Sequence, residues 1–565
     1  MSDALKAITA VSAVSSFVFV GYRPDLLPTS RPSYIGTFVL LWITSFLGWA
    51  FWKVILYPKY FSPLRHLPMP KGGSWWNGHF KEISARATGE PHIEWVNTIP
   101  NDGLIRYLGL LNSERLIVTS PKGLSEVLTT QNYDFIKPSH VAKGLGRLLG
   151  IGILLAEGDE HKTQRKNLMP AFAFRHVKDL YPTFWSKSRE LVAAMTAHIE
   201  AGGIPNDELP EYQKRPDVEN DTAVLEAHQW ASRATLDIIG VAGMGHDFGA
   251  IADPTSILNQ TYRAVFKPTR QAAILGLLNT FLPLWIVRNI PIKRNGDIAS
   301  AVTVIRDTCR FLIREKKEKL EKKELHDCDI LSVAMESRYW GEEALIDQMM
   351  TFLAAGHETT AASMTWATYL LAINPGIQAR LRAEVREKLP SPDLLDEGVT
   401  AQQIDHLPYL NAICNEVLRY RSPVPLTLRD AAHDTTLLGT AIPKGTRVML
   451  VPWATNKTES LWGSDARDFN PDRWLPSESN PHAAGNGGAK SNYAYLTFLH
   501  GPRSCIGQSF AKAEFACLLA AWVGRFEFEV NDERELDEDN IVIKGGVTAK
   551  PSRGMYLRTK VVEGW

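Results

Sequence analysis

The sequence has little cysteine, no surplus of charge of either sign, and no glycine fingerprint for a dinucleotide. Its 565 residues hold five cysteines, Cys309, Cys328, Cys414, Cys505 and Cys517, with no paired spacing. So few and so scattered, they exclude a secreted disulfide scaffold and point to a reducing compartment. No second Cys or His stands at metal-ligand spacing from Cys505, which excludes a zinc site. Lys and Arg number 62 and Asp and Glu 62, so no bulk field draws the chain to nucleic acid. No Gly-x-Gly-x-x-Gly run is present, and with it goes a nucleotide domain of the doubly wound kind. With 45% apolar and 22% charged residues the chain buries a large core.

Long apolar runs, by contrast, are present at the N-terminus. Tyr34 to Trp52 is 19 residues without a charge. As a helix it would reach about 28 Å, close to the roughly 30 Å of a bilayer core. Tyr34, Trp49, Trp52 and Tyr57 crowd its ends, where interfacial aromatics belong. Ala7 to Tyr22 is shorter and richer in Ser, Thr and Ala, and is read as a second span, a re-entrant segment or a signal. No small-residue cleavage site follows it. Lys53, Lys59, Arg65 and Lys71 come after the stronger run and place the body on the cytosolic side. Asn220, Asn259 and Asn456 begin glycosylation sequons that this topology leaves unmodified.

The organisation expected is an anchor over 1–57, a Pro-rich linker over 58–73 and one catalytic domain over 74–565. The linker's prolines cannot continue a helix. Leu104 to Val118 alternates as a small sheet does, helical patterns dominate beyond Pro121, and β signals return at Thr435 to Leu450 and Phe526 to Leu557. Arg314 to Glu324 pairs Glu315 with Lys319 and Glu318 with Lys322, a solvated helix face. Pro476 to Asn492 reads as an exposed loop. There is no internal repeat. The fold class is mainly α with a minor β-sheet.

Phe498-Leu-His-Gly-Pro-Arg-Ser-Cys-Ile-Gly507 concentrates the chemistry. Gly501 and Gly507 bracket Cys505 and permit close backbone approach to something flat and bulky. Arg503 offers a planar guanidinium suited to a carboxylate. Cys505 precedes a helix-forming run, Gln508 to Leu519, whose positive end favours a thiolate able to ligate iron. A buried structural cysteine is the bland alternative, but it leaves the other four residues unexplained.

This segment resembles the haem-binding loop of the cytochrome P-450 family, Phe-x-x-Gly-x-Arg-x-Cys-x-Gly, at every fixed position. The resemblance implies the P-450 fold with an N-terminal anchor, haem b ligated by Cys505, and Arg503 on a haem propionate. It extends to Ala355-Gly356-His357-Glu358-Thr359-Thr360, which implies a helix crossing the distal face, opened at Gly356. Glu358 and Thr359 would deliver protons there through water, and Ala355 would line the pocket. A Thr bonded back to the helix and an acid in a local salt bridge are the alternative reading of that pair. Glu416-Val-Leu-Arg419 and Phe469-Asn-Pro-Asp-Arg-Trp474 imply a buried cluster of Glu416, Arg419 and Arg473; alone, the first would be a surface ion pair. His161 and Arg165 lie one helical turn apart and, with Arg429, are implied propionate partners. Many relatives carry Trp where His161 stands. Thr235-Leu-Asp237 resembles a core helix with no catalytic part.

The implied reaction inserts one oxygen atom of O2 into a hydrophobic substrate, a terpenoid or polyketide of secondary metabolism as in fungal microsomal members. Electrons would come from NADPH through a separate cytochrome P-450 reductase, with the enzyme on the endoplasmic reticulum membrane. Phe352, Gly356, Val424, Leu428, Val547 and Thr548 would line the pocket, with the His140 to Ala156 loop. Two other functions are open: a haem-thiolate isomerase or dehydratase working without O2, and a non-catalytic haem-binding protein. The intact Glu358–Thr359 pair speaks against both.

Overall fold

In the computed structural model, residues 2–26, 33–214, 222–267, 269–322, 329–337, 339–478, 480–543 and 546–565 are described. Two helices open the chain, Ser2–Tyr22 and Tyr34–Phe51. They lie side by side, joined by Trp42 Nε1 donating to Thr9 Oγ1 at 3.0 Å and by Phe17 stacked on Tyr34. Small hydroxyl residues, Ser12, Ser16 and Thr37, fill the contact. Both helices are long and apolar enough to cross a membrane, the second counted through to Phe61. The stretch Ala7 to Tyr22 is therefore one continuous helix with the residues before it.

The proline-punctuated segment differs from expectation. The second helix runs on as a wide-turned helix over Trp52–Phe61, with Pro58 inside it. Ser62 N–H reaches back five residues to Tyr57 O at 2.9 Å. The wider turn gives the proline ring room that an α-turn lacks, so the helix ends at Phe61 and not before Pro58. This end of the helix is tied to the body. Arg106 Nη2 donates to the Pro58 carbonyl at 2.6 Å, Ser62 Oγ to Glu114 at 2.6 Å, and Asn112 Nδ2 to the Val54 carbonyl at 2.9 Å.

Ten strands among the described residues make three small sheets. β1 (Leu104–Leu108), β2 (Glu114–Val118), β3 (Phe135–Ile136), β5 (Thr427–Ala431) and β8 (Arg447–Leu450) form a five-stranded sheet in the order β1-β2-β8-β5-β3. Only β2–β8 in it is parallel. β4 (Ala223–Glu226), β10 (Tyr556–Val561) and β9 (Phe526–Val530) form a second, and β6 (Thr435–Leu437) pairs with β7 (Thr440–Ile442). Strands β1, β2 and β6 to β9 lie where the residue pattern put them, while β10 begins in the expected stretch and runs four residues past Leu557.

The core is helical. Glu342–Ala372, 31 residues long, passes through the middle and is buried along nearly its whole length. Gln508–Arg525, after the cysteine loop, is its equally buried neighbour. Pro408–Tyr420, Ala227–Ile238 and Tyr181–Glu200 pack around them. This scaffold fixes where the cysteine loop and the long helix face each other.

Two stretches depart from the sequence pattern. The region from His140 is not a loop: Ser139–Leu149 is a helix, with Leu145 and Leu148 packed on the core. Gly144 and Gly146 obscure an amphipathic pattern that Leu145, Leu148 and Leu149 impose. Pro476 to Asn492 is not wholly exposed, since Ala483–Asn486 forms one helical turn with Ala483 buried. A Cβ on Gly487 would come within 2.9 Å of the Trp474 ring, so this stretch packs where loop composition predicts solvent. The Glu315–Lys319 pair is present at 2.7 Å, while 323–324 of that stretch fall outside the described residues. Asn259 and Asn456 are buried and hydrogen-bonded, and Asn220 falls outside the described residues.

Candidate functional site

The cysteine loop is built by local backbone geometry. Gly501–Arg503 is a single tight turn, and Cys505 N–H donates to the Phe498 carbonyl at 2.9 Å. Gly501 has φ +73°, and a Cβ there would lie 2.2 Å from the Leu128 carbonyl. Its glycine therefore serves a backbone crossing behind the loop, not the approach of a flat ligand. Gly507 has no such crowding; its nearest neighbour is Phe172 at 3.6 Å. Among the free cysteines, Cys309, Cys414 and Cys517 are buried, while the Cys505 surface is uncovered. It is uncovered inside the protein, at the floor of a cavity of about 1480 Å³. Burial pushes the Cys505 thiol up, opposed by the Gly507 N–H and by Arg165.

Four cations and a histidine gather beside this floor. Arg165, in the helix Gly158–Leu168, donates to the Ser504 carbonyl at 2.7 Å and to Ser504 Oγ at 3.2 Å. Arg503 donates to the Phe135 carbonyl at 3.1 Å and pairs with Glu157. Arg429 donates to the Leu428 carbonyl at 2.7 Å and Thr427 Oγ1 at 3.0 Å. His161 Nδ1 lies 3.1 Å from the Tyr133 hydroxyl. Lys137 and Glu157 join them without a signal in the sequence, and both escaped prediction.

The electrostatics of this cluster ask for anions. Burial, then Arg429 and Arg503, push Lys137 down to about 7. Burial and Arg503 push Arg429 down to about 10. Burial, then Arg503, Lys137, Arg165 and Arg429, push His161 down to about 4. Among the described residues, Glu157 is the carboxylate at their centre. The Arg503 Nε is buried with no acceptor. A cation cluster short of counter-charge, beside an uncovered cysteine in a large apolar cavity, fits a haem with its two propionates. Lys137, His161, Arg165, Arg429 and Arg503 would hold the propionates and Cys505 the iron.

The long helix Glu342–Ala372 supplies another wall. Phe352, Ala355, Gly356, Glu358 and Thr359 line the same cavity as Cys505, as do Phe498, Val424, Leu428, Val547 and Thr548. A Cβ on Gly356 would stand 2.9 Å from Ile239, so this glycine also admits a neighbouring helix. Thr359 Oγ1 donates back to the Ala355 carbonyl at 2.9 Å. Glu358 is ion-paired, with Lys550 Nζ at 2.6 Å, so the back-bonded Thr of the alternative reading is present and its local salt bridge is not. The partner is not local, since it comes from 192 residues away. Burial raises the Glu358 carboxyl, but Lys550, His228 and His357 outweigh it and hold it below the usual range.

Glu416, Arg419 and Arg473 meet outside the cavity, behind the cysteine loop. Arg419 grips Glu416 with two hydrogen bonds of 2.7 Å and gives its other donors to the Asn456, Ala466 and Asp468 carbonyls. Arg473 Nε reaches Glu416 Oε1 at 3.3 Å, and Trp474 Nε1 and Asn470 N–H complete the carboxylate. Arg419 and Glu416 are fully buried.

Comparison with known proteins agrees with this geometry. The sequence profile described as Cytochrome P450 matches residues 68–558. The chain is 44% identical over 576 residues to the cytochrome P450 monooxygenase ALT8 of Alternaria alternata, covering 94% of this chain and 95% of that one. It is 44% identical to FUM15 of Gibberella moniliformis over 551 residues, covering 90% of each. It is 45% identical to sphH of Aspergillus fumigatus over 554 residues, covering 97% of each; both are described as cytochrome P450 monooxygenases. With its haem loop, its cation cluster and a match across most of its length, the chain belongs to the cytochrome P450 family.

Proposed function

We propose that the chain is a membrane-anchored haem-thiolate monooxygenase that inserts one oxygen atom of O2 into a hydrophobic substrate. The observation that carries this is the shared cavity: Cys505, Ala355 and Thr359 all line it. The relatives described as monooxygenases support the same reaction class. Haem b, when bound, supplies reductive activation of O2, and thiolate ligation favours O–O cleavage. The residues of the chain supply the rest. The positive end of Gln508–Arg525 and Arg165 favour Cys505 as thiolate. Arg503, Arg429, Arg165, Lys137 and His161 orient the cofactor by its carboxylates. Phe352, Val424, Leu428 and Val547 present apolar surface that positions the substrate and excludes water. Thr359 Oγ1 holds a proton at the wall and Glu358 serves as general acid.

Electrons would come from NADPH through a separate reductase, because the chain has no nucleotide fingerprint of its own. The two N-terminal helices and the Lys53, Lys59, Arg65 and Lys71 that follow support an endoplasmic reticulum anchor with a cytosolic body. The division into anchor, linker and catalytic domain goes with that reading. The apolar cavity and the anchor favour a terpenoid or polyketide substrate. Isomerisation without O2 needs no acid at the distal wall, so Glu358 and Thr359 favour the monooxygenase over that alternative. The test is the reduced carbon-monoxide difference spectrum of membranes carrying the chain. A long-wavelength Soret band lost in Cys505→Ser is expected. Its persistence in that variant, or folded protein without haem, refutes the reading.

A further inference from the structure

The Glu358 carboxylate has partners with no role so far. Its Oε1 accepts from Lys550 Nζ at 2.6 Å and from Thr548 Oγ1 at 2.9 Å. Lys550 also donates to His228 Nε2 at 2.7 Å, and His228 Nδ1 lies 3.2 Å from Thr365 Oγ1. An imidazole that accepts at Nε2 carries its proton on Nδ1, so His228 is neutral and turned toward Thr365. Burial and the Lys550 ammonium both hold it neutral. The charged and titratable groups facing Glu358 are Lys550 from the C-terminal loop, His228 from Ala227–Ile238, and His357 from its own helix.

Thr548 and Lys550 belong to one short segment that is itself pinned. Ala549 N–H donates to the Pro423 carbonyl at 2.8 Å, and Ala549 O accepts from Trp366 Nε1 at 2.7 Å. One step earlier, Val547 faces the cavity. The same four residues therefore touch substrate space and grip the acid. A surface ion pair would need no such support: both flanks of this one are backbone-anchored, and Glu358 is buried on a central helix.

We infer that Lys550 and Thr548 are positioning residues for Glu358, holding it ionised at the cavity wall between proton deliveries. This rests on the monooxygenase reading. In the step, an O–H bond forms on Glu358 as a hydronium ion reaching the cavity gives up its proton and becomes water, and that O–H bond breaks as the proton passes on beside Thr359. The Lys550 ammonium keeps its protons throughout, so one proton moves from solvent to the cavity per cycle and the carboxylate is restored. His228 fixes the Lys550 head by accepting one of its hydrogens. A ligand that presses on Val547 thereby acts on the segment that holds the acid.

The experiment uses the full-length haem-loaded chain. Infrared difference spectra of each variant against the same variant carrying Glu358→Gln isolate the Glu358 carboxyl. Wild type is expected to show no protonated-carboxyl band at neutral pH. Lys550→Met is expected to show one, with the midpoint of Glu358 raised by two pH units or more. Lys550→Arg is expected to restore the ionised acid, and Thr548→Val to raise the midpoint by less. With reductase and NADPH, Lys550→Met should enlarge the solvent isotope effect on NADPH consumption at least twofold, and Lys550→Arg should not. An ionised Glu358 in Lys550→Met, or an unchanged isotope effect, overturns the proposal. If Lys550→Met alone fails to fold, an unshifted midpoint in Thr548→Val overturns it. The carbon-monoxide spectrum of wild type separates the two failures: its absence sinks the monooxygenase reading, whatever the infrared result.

Discussion

Replacing Arg419 by Leu tests the physical account of the cluster behind the cysteine loop. The guanidinium lies fully buried and makes two hydrogen bonds to Glu416 and three to backbone carbonyls. Leucine fills part of the volume and satisfies none of them. Glu416 keeps Trp474, Asn470 and Arg473, so its charge is not wholly stranded. The carbonyls of Asn456, Ala466 and Asp468 lose their donor. Breaking a buried pair by removing one partner costs about 3–5 kcal/mol. The retained partners of Glu416 lighten that and the orphaned carbonyls add to it, so the expected loss stays about 3–5 kcal/mol. The comparison is Asp472→Ala, which removes an ion pair to Arg380 whose two side chains are 50% and 60% exposed. A pair of that kind is worth under about 1 kcal/mol. The assay is urea-dependent loss of the thiolate-haem carbon-monoxide band in detergent-solubilised protein. Two variants with midpoints the same within error would refute the claim that Arg419 works through burial and carbonyl satisfaction.

Thr359→Ala should leave the carbon-monoxide band intact while product formed per NADPH falls several-fold; unchanged coupling removes Thr359 from proton handling. Lys137 has its ammonium held down to about 7 when no propionate faces it. A propionate raises that value, so haem binding takes up a proton near pH 7, and haem loss to an apo-globin acceptor should quicken as pH rises above about 7, a trend that Lys137→Gln abolishes. Asp237 is raised to about 6, chiefly by burial against the help of the Ile251 and Ala250 N–H groups. Its native state binds more protons than the unfolded chain between about pH 4 and 6, so this group's contribution to stability falls as pH rises through that window and is flat above it. Asp237→Asn should flatten that slope in chemical denaturation.

The residues carrying the cysteine loop, the distal wall and the Glu416 cluster were legible because each is a short, contiguous run. The contacts that complete the site were not. Glu157 meets Arg503 across 346 residues and Lys550 meets Glu358 across 192. Nothing in the local pattern around Lys137, Glu157 or Lys550 marks them, since an isolated charge between apolar residues is ordinary on any surface. β4 (Ala223–Glu226) was missed for a different reason: all four residues are buried, so the alternation that betrays a strand is absent. Pro58 was read by the cost of a proline inside an α-turn, and the wide turn at Trp52–Phe61 removes that cost. Of the two glycines singled out in the cysteine loop, Gly501 is crowded by a carbonyl of its own chain and Gly507 meets only ordinary contacts.

The joint below the second helix has a mechanical consequence. A helix that ended in a slack tether would let the body turn about it like a buoy on a rope. Here the Val54 and Pro58 carbonyls, a helical turn apart, are each held by a side chain from the β1–β2 hairpin. Two attachment points on a stiff rod define a hinge axis and a preferred angle, where one would define only a pivot. Asn112, which also grips the Trp75 carbonyl, stands in the left-handed region with φ 52°, so the hairpin tip keeps its shape under load. The helix thus acts as a mast stepped into the body: its tilt sets which way the mouth of the cavity faces.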